Sequence, residues 1–108
     1  MIHELRIYTC APGRLPALLN RFENTTLKIW ERMGIRQAGF WTTVLGESNH
    51  QLIYLLEWES LAEREQKWTA FQADPEWQEK RAASEKDNPI VANVSSQIIA
   101  PTAFSSVK

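Results

Sequence analysis

The sequence predicts an α+β domain with a ferredoxin-like βαββαβ order, which pairs sheet-to-sheet with a second copy of itself. Three observations support this prediction. The chain has 108 residues, enough for one domain. Segments with the two-residue period of a strand alternate with segments that have the period of a helix. One predicted strand is apolar on both faces, so the helices alone cannot cover it.

The first predicted strand covers residues 2–10, whose side chains alternate in character with a period of two. One face carries His3, Leu5, Ile7 and Thr9, and the other carries Glu4, Arg6, Tyr8 and Cys10. We expect the first of these faces to pack on the helices. The face with the charged side chains would then be the open face of the sheet.

An amphipathic helix is predicted for residues 14–33. Pro16 fits its first turn, where a missing N–H costs nothing, and Gly34 follows at the position of a left-handed cap. Apolar side chains recur at spacings of three and four and form one stripe along this helix. The stripe consists of Leu15, Leu18, Leu19, Phe22, Thr26, Ile29, Trp30 and Met33.

A β-hairpin follows, with strands predicted at residues 36–45 and 51–59 and a turn at residues 46–49. The second of these strands is apolar on both faces for most of its length. Its even positions are Leu52, Tyr54, Leu56 and Trp58, and its odd positions begin with Ile53 and Leu55. A strand that only covers helices needs one apolar face, so its other face requires a second cover.

Two more helices are predicted between residues 61 and 86. Ser60 and Glu63 have the spacing of a capping box, which marks the start of the first helix. Asp74 as N-cap and Pro75 at the first helical position mark the start of the second.

Residues 90–100 complete the order as a fourth strand. The chain then forms a four-stranded antiparallel sheet with its helices on one face and with strands 1 and 3 in the centre. The predicted open face joins the polar set of strand 1 to Tyr54, Leu56 and Trp58. Monomeric proteins avoid a broad exposed apolar patch, so we expect a second copy to cover it.

Composition and charge exclude several classes of function. The net charge is −1 and no basic run is present, which argues against nucleic acid as a partner. The longest apolar run, Leu52 to Leu56, is too short to span a membrane, and residues 1–6 do not resemble a signal peptide. Cys10 is the only cysteine, so no internal disulfide can form and a cytoplasmic location is expected. The two histidines, His3 and His50, give no metal-binding motif.

Several motifs resemble the NIPSNAP family, in the right order and over nearly the whole chain. They are Glu4-Leu5-Arg6-Ile7-Tyr8-Thr9 with Pro12-Gly13, Gly39-Phe40-Trp41-Thr42-Thr43 with Gly46-Glu47, Glu59-Ser60-Leu61, Asp74-Pro75-Glu76-Trp77, and Pro101-Thr102 with Phe104-Ser105. The resemblance implies a single domain over residues 1–108 that forms a dimeric α+β barrel. That fold is shared with small cofactor-free monooxygenases and isomerases, but the family has no agreed reaction.

Glu4, Arg6 and Tyr8 are the foremost candidates for a functional site. Their spacing of two places them side by side on one strand face. Arg6 could bind a carboxylate or enolate oxygen, Tyr8 could donate to the same anion, and Glu4 could orient Arg6 or act as a base. The alternative is a structural ion pair that sets the register of the dimer.

Trp41, Thr43, Tyr54 and Trp58 are further candidates, expected on the same face as the polar set. They would line a pocket in the barrel or simply pack in the interface. Two hypotheses for function follow, and whether the protein is an enzyme stays open. In the first, the protein binds a small anionic or aromatic molecule in the barrel, and it could then act without a cofactor as a monooxygenase-like or isomerase-like enzyme. In the second, it is a non-catalytic dimeric interaction module.

Overall fold

The computed structural model describes the whole chain from Met1 to Lys108. Its elements follow the predicted order, and a π-turn over Phe22–Thr26 joins α1 and α2 into one continuous helix. The elements are β1 Ile2–Cys10, α1 Leu15–Arg21, α2 Leu27–Met33, β2 Arg36–Thr42, β3 Gln51–Trp58, α3 Leu61–Ala73, α4 Pro75–Ser84 and β4 Val91–Ile99. The strands form one antiparallel sheet in the order β2-β3-β1-β4. The predicted ferredoxin-like α+β fold is confirmed.

The helix ends lie where local sequence signals predict them. The backbone N–H of Glu63 donates to Ser60 Oγ at 3.1 Å, and that of Trp77 donates to an Asp74 carboxylate oxygen at 3.0 Å. Gly34 ends α2 with a φ of 75°, a conformation that residues with a Cβ rarely adopt. These caps satisfy backbone groups that would otherwise lack partners, which fixes where each helix begins and ends.

The two central strands pair as predicted. Arg6 lies opposite Tyr54, and Glu4 lies opposite Leu56. Because side chains alternate along a strand, Glu4, Arg6 and Tyr8 share one face with Tyr54 and the other even positions of β3. The predicted grouping of these side chains is therefore confirmed.

The prediction of which face of the sheet the helices cover is wrong. The face with Glu4, Arg6 and Tyr8 packs against the helices: Arg64 of α3 donates to the Glu4 carboxylate, and the Arg6 guanidinium lies 4.6 Å from the Trp68 ring. Glu4 is fully buried within one protomer. Charged side chains can occupy the helix-covered face because their partners are buried with them, a compensation that strand alternation does not reveal.

The open face of the sheet carries the residues that were expected to meet the helices. Leu5 and Ile7 of β1 and their cross-strand partners Leu55 and Ile53 lie on it, each only partly buried. His3 belongs to this face by register, although it is itself buried.

Trp41 also belongs to the open face, because it lies opposite Ile53 and not opposite Tyr54. Its indole is 50% exposed and lies across Gly39, where an added Cβ would come within 2.6 Å of the ring. At the tip of the hairpin, Val44 and Leu45 are 98% and 92% exposed. The side of the protomer away from the helices thus presents an apolar surface to solvent.

The core between sheet and helices is dominated by aromatic rings. Phe22 makes edge contacts with Tyr8, Trp30 and Tyr54, and Phe71 stacks on Trp77 with ring centroids 4.8 Å apart. The middle of the predicted stripe is buried and its end residues Leu15 and Met33 are partly buried, but Leu19 is exposed and Arg21 is buried instead. None of the helices is long and apolar enough to cross a membrane.

Candidate functional site

A cavity of about 400 Å³ lies between the sheet and the helices, beside β4. Side chains from three parts of the fold line it. The sheet contributes Arg6, Tyr8 and residues 91–94, the π-turn contributes Phe22 and Thr26, and the helices contribute Arg21, Trp30, Phe71, Gln72, Trp77 and Arg81, with Glu85 directly after α4. Pockets of this size hold small organic ligands in other proteins.

Glu4 lies behind the sheet wall of the cavity, at the centre of a network of side-chain hydrogen bonds. One carboxylate oxygen accepts from Arg64 Nε at 2.7 Å and from Trp58 Nε1 at 3.1 Å, and the other accepts from Ser96 Oγ at 2.6 Å and Arg6 Nη1 at 2.9 Å. Burial acts to raise the pKa of Glu4, but these hydrogen bonds outweigh it and lower the pKa to about 2. A carboxylate with all its lone pairs occupied is held in place and is not free to accept a proton from a ligand.

Arg6 extends this network from Glu4 to the cavity. Its Nε donates to the Tyr54 hydroxyl at 2.9 Å, and its Nη2 lies 3.4 Å from the Tyr8 hydroxyl. Burial of Arg6 opposes its charge, but Tyr54, Tyr8 and Glu4 outweigh it and raise the pKa. Arg6 therefore stays charged in the wall of the cavity.

The hydroxyl of Tyr8 is the end of this hydrogen-bonded chain. Its oxygen accepts from the Tyr54 hydroxyl at 3.1 Å and from Arg6. Burial raises the pKa of Tyr54 well above its ordinary value, so Tyr54 keeps its proton and donates it. Because both neighbours donate to the Tyr8 oxygen, the proton of Tyr8 remains for a group inside the cavity.

The π-turn supplies the second wall. The backbone N–H of Leu27 bonds to the carbonyl of Phe22, five residues earlier, which inserts one extra residue into the helix. Phe22 and Thr26 at the two ends of this turn both line the cavity and are both buried. Such single π-turns are frequent at functional sites, because they change the direction of side chains within an otherwise regular helix.

Four polar atoms around the cavity are buried without any hydrogen-bond partner. They are Arg21 Nε, Thr26 Oγ1, Trp30 Nε1 and Trp77 Nε1. The great majority of buried polar groups in folded proteins are paired, and each one left unpaired costs about 1–3 kcal/mol. Three of the four can only donate, so they lack an acceptor. The cavity thus has the hydrogen-bonding pattern of a site that takes a molecule with acceptor atoms.

Arg21 is the buried cation of the helix wall. Its Nη1 lies 3.2 Å from Ser84 Oγ and 3.6 Å from a Glu85 carboxylate oxygen, and its guanidinium lies 5.4 Å from the centre of the Trp77 ring. Burial lowers the pKa of Arg21, an effect that Glu85 partly offsets. Arg21 therefore has one carboxylate partner, while its buried Nε–H has no hydrogen-bond partner.

The structure places the predicted site residues in three locations. Arg6 and Tyr8 line the cavity. Glu4, Tyr54 and Trp58 are fully buried behind them and support the network. Trp41 and Thr43 lie elsewhere: Trp41 is on the open face, and Thr43 follows the end of β2. The expectation that Trp41 shares a face with Tyr54 is wrong, because the register of β2 places Phe40 opposite Tyr54, and Thr43 lies outside the paired residues.

The comparisons with known proteins place the chain in a family. The sequence model of NIPSNAP matches residues 3–106. The chain belongs to the NIPSNAP family. No curated protein sequence matches it.

Solved structures of NIPSNAP proteins have the same fold. An uncharacterized NIPSNAP-like domain protein from Burkholderia xenovorans is 29% identical, with a TM-score of 0.85 over 96% of this chain and 87% of its own. A NIPSNAP family protein from Agrobacterium tumefaciens is 22% identical, with a TM-score of 0.87 over 99% and 98% of the two chains. More distant is a protein from Chloroflexus aurantiacus, provisionally named an antibiotic biosynthesis monooxygenase, at 12% identity and a TM-score of 0.56 over the full length of both.

Sequence reasoning missed the helix wall of this NIPSNAP site. Trp30 was predicted only as part of the apolar stripe of the first helix, and neither Trp77 nor Arg21 was among the candidate site residues. One signal was available: Arg21 and Thr26 are polar, yet they lie on or next to the apolar stripe of the first helix. A buried polar residue on such a stripe indicates either a hydrogen-bond partner or a ligand.

Proposed function

We propose that this NIPSNAP protein binds a small anionic or aromatic molecule in the cavity between the sheet and the helices of each protomer. The unpartnered donors of Arg21, Trp30 and Trp77 support the proposal, because a ligand with oxygen acceptors would satisfy them. Arg6 and Tyr8 add a guanidinium and a hydroxyl on the sheet side. The aromatic walls would hold an apolar or planar body.

The same geometry supports an enzyme without a cofactor, such as a monooxygenase or an isomerase. The Tyr8 hydroxyl accepts from Arg6 and Tyr54, which leaves its proton for a ligand oxygen, and Arg6 beside it would stabilise negative charge on an enolate or phenolate oxygen. The protein from Chloroflexus aurantiacus has a similar fold and is named as a monooxygenase, which supports an enzymatic function by analogy of fold alone. Native mass spectrometry of the protein purified from its own host is the direct test, because a retained small molecule would identify the ligand.

Replacing Thr26 by valine is expected to stabilise the protein and to weaken ligand binding. Valine has nearly the same shape but lacks the buried hydroxyl that has no partner. We expect the free energy of unfolding without ligand to rise by about 1 kcal/mol, which is a rise of roughly 4 °C in the melting temperature. The fraction of protein that retains a small molecule should fall about tenfold in native mass spectra.

Thr25→Val is the matched control, since Thr25 belongs to the same π-turn but does not line the cavity. It should change neither ligand retention nor stability by a comparable amount. A Thr26→Val protein that is less stable than the natural one and retains its ligand fully would show that the hydroxyl serves the fold and not a ligand.

We further propose that two copies pair through their open sheet faces. The centre of this face is formed by Leu5, Ile7, Ile53 and Leu55, which are only partly buried, with exposed Trp41 beside them. Monomers rarely leave so broad an apolar surface in water. A partner sheet would cover it, and the exposed hairpin tip would extend the contact.

A glutamate in place of Ile53 is expected to separate the two copies without unfolding them. Ile53 lies in the centre of the open face, between Ile7 and Trp41. A charge buried there costs several kcal/mol, so the dissociation constant should rise at least about 100-fold. Analytical ultracentrifugation measures the change, and circular dichroism checks that the fold is kept.

Leu19→Glu is the control, because Leu19 is an exposed apolar residue on the helix layer. It should leave the oligomeric state unchanged. The proposed interface would be refuted by a natural protein that is monomeric at micromolar concentration, or by an Ile53→Glu variant that dimerises as the natural protein does.

The alternative function is a non-catalytic dimeric interaction module. The exposure of Trp41, Val44 and Leu45 favours it, since these residues could contact a partner even if the cavity is empty. The two functions differ in their response to the cavity variant. An interaction module should retain no small molecule, and Thr26→Val should not alter its binding to partners.

A further inference from the structure

We propose that the ligand of the cavity carries two separate groups with oxygen acceptors, joined by an aromatic or otherwise apolar body. This inference rests on the proposed function and adds to it the chemical class of the ligand. It is derived from the positions of the donors around the cavity, which form two centres on different walls.

The first donor centre belongs to the sheet. Arg6 uses its Nε, Nη1 and Nη2 for Tyr54, Glu4 and Tyr8, and each Nη carries a second N–H. The hydroxyl proton of Tyr8 is free for a ligand, because its oxygen accepts from both Arg6 and Tyr54 and Tyr8 lines the cavity. A carboxylate, ketone or enolate oxygen placed here would accept from Tyr8 and lie close to a buried cation.

The second donor centre belongs to the helices. Arg21 Nε and Trp77 Nε1 are both buried and unpartnered, and the guanidinium of Arg21 lies over the Trp77 ring. Thr26 and Trp30 add two further unpartnered groups to the same cavity. Each centre has its own carboxylate, Glu4 behind Arg6 and Glu85 beside Arg21. A ligand group at the first centre alone would leave Arg21 Nε and Trp77 Nε1 without an acceptor.

The wall between the two centres is aromatic. Trp68 contacts Arg6, Phe71 contacts Trp68, and Trp77 contacts both Phe71 and Arg21. The body of the ligand would pack on Phe71, Trp77 and Phe22, which line the cavity. A volume of about 400 Å³ accommodates one substituted ring. Arg21 Nε, Trp30 Nε1 and Trp77 Nε1 can only donate, so an amine or another cation would leave these three groups unsatisfied.

Calorimetric titration with five probe compounds tests this inference on the full chain. The probes are benzoate, its ortho, meta and para dicarboxylate analogues, and benzylamine. At least one dicarboxylate should bind about tenfold or more tightly than benzoate, because it can engage both centres. Benzylamine should not bind.

Two variants assign the ends of the bound dicarboxylate. Tyr8→Phe removes one donor from the sheet centre, and Arg21→Met removes the cation of the helix centre. Each should weaken the dicarboxylate about tenfold, whereas benzoate should lose affinity in only one of them. Trp77→Phe, which removes the indole N–H, replaces Arg21→Met if that variant does not fold.

The outcomes separate this inference from the proposed function. If benzoate binds and no dicarboxylate binds more tightly, or if benzylamine binds equally well, the two-ended ligand is refuted while a ligand site in the cavity stands. Absence of binding for all five probes also counts against the two-ended ligand. The proposed function itself falls only if, in addition, native mass spectra of the protein from its host show no retained molecule.

Discussion

Replacing Trp58 by glutamate is expected to unfold the protein, not to separate a dimer. Trp58 is fully buried on the helix-covered face, and its indole N–H donates to Glu4. The variant would lose the packing of a large ring and would bury a second carboxylate beside the first. Together these effects should exceed about 5 kcal/mol, which is the entire stability of many small domains. Circular dichroism and the yield of soluble protein measure the result.

Trp41→Glu is the matched control for this prediction. It makes the same replacement on the open face, where Trp41 is half-exposed. We expect this variant to keep a cooperative unfolding transition at low protein concentration. A folded Trp58→Glu variant with a near-normal unfolding midpoint would mean that Trp58 does not lie in the core.

The stability of the protein is expected to fall by about 3 kcal/mol between pH 4.5 and pH 2 through Glu4 alone. The ordinary pKa of 4.5 is lowered to about 2 in the folded protein. The stabilising effect of the carboxylate is therefore fully present above pH 4.5 and is lost as the pH falls towards 2, since a pKa difference of one unit corresponds to about 1.4 kcal/mol. Urea unfolding at a series of pH values measures the change.

Glu4→Gln isolates this contribution. The amide keeps the shape but cannot compensate the charges of Arg6 and Arg64, so we expect a loss of roughly 3–5 kcal/mol at neutral pH. The stability of the variant should also depend less steeply on pH below 4.5. An equally steep dependence in Glu4→Gln would show that other carboxylates, such as Glu63 or Glu85, cause the acid sensitivity.

Local signals accounted for most of the fold. The capping box at Ser60, the N-cap at Asp74 and the left-handed Gly34 act over three or four residues, so the sequence around them is sufficient to place the helix ends. The alternation in residues 2–10 and 51–58 likewise predicted which side chains of each strand share a face. These features depend on backbone geometry and hardly at all on distant partners.

The candidate site was predicted only in part. Arg6 and Tyr8 were identified because two polar side chains with a spacing of two on a central strand are conspicuous. Arg21, Thr26 and Trp77 were missed, since their importance lies in what they lack, namely a hydrogen-bond partner. The absence of a partner is a property of the packed protein, and no sequence pattern expresses it.

The amino-acid sequence by itself determined the order of the elements, the caps, the grouping of Glu4, Arg6 and Tyr8 with Tyr54, and the resemblance to NIPSNAP proteins. Only the tertiary structure decided which side of the sheet the helices cover, and hence that these residues border a cavity inside the protomer. Alternation in β1 separates a face with Leu5 and Ile7 from a face with Glu4 and Arg6, but it does not determine which of the two the helices cover. The helices cover the charged face because Arg64, from a distant part of the chain, supplies the missing partner for Glu4.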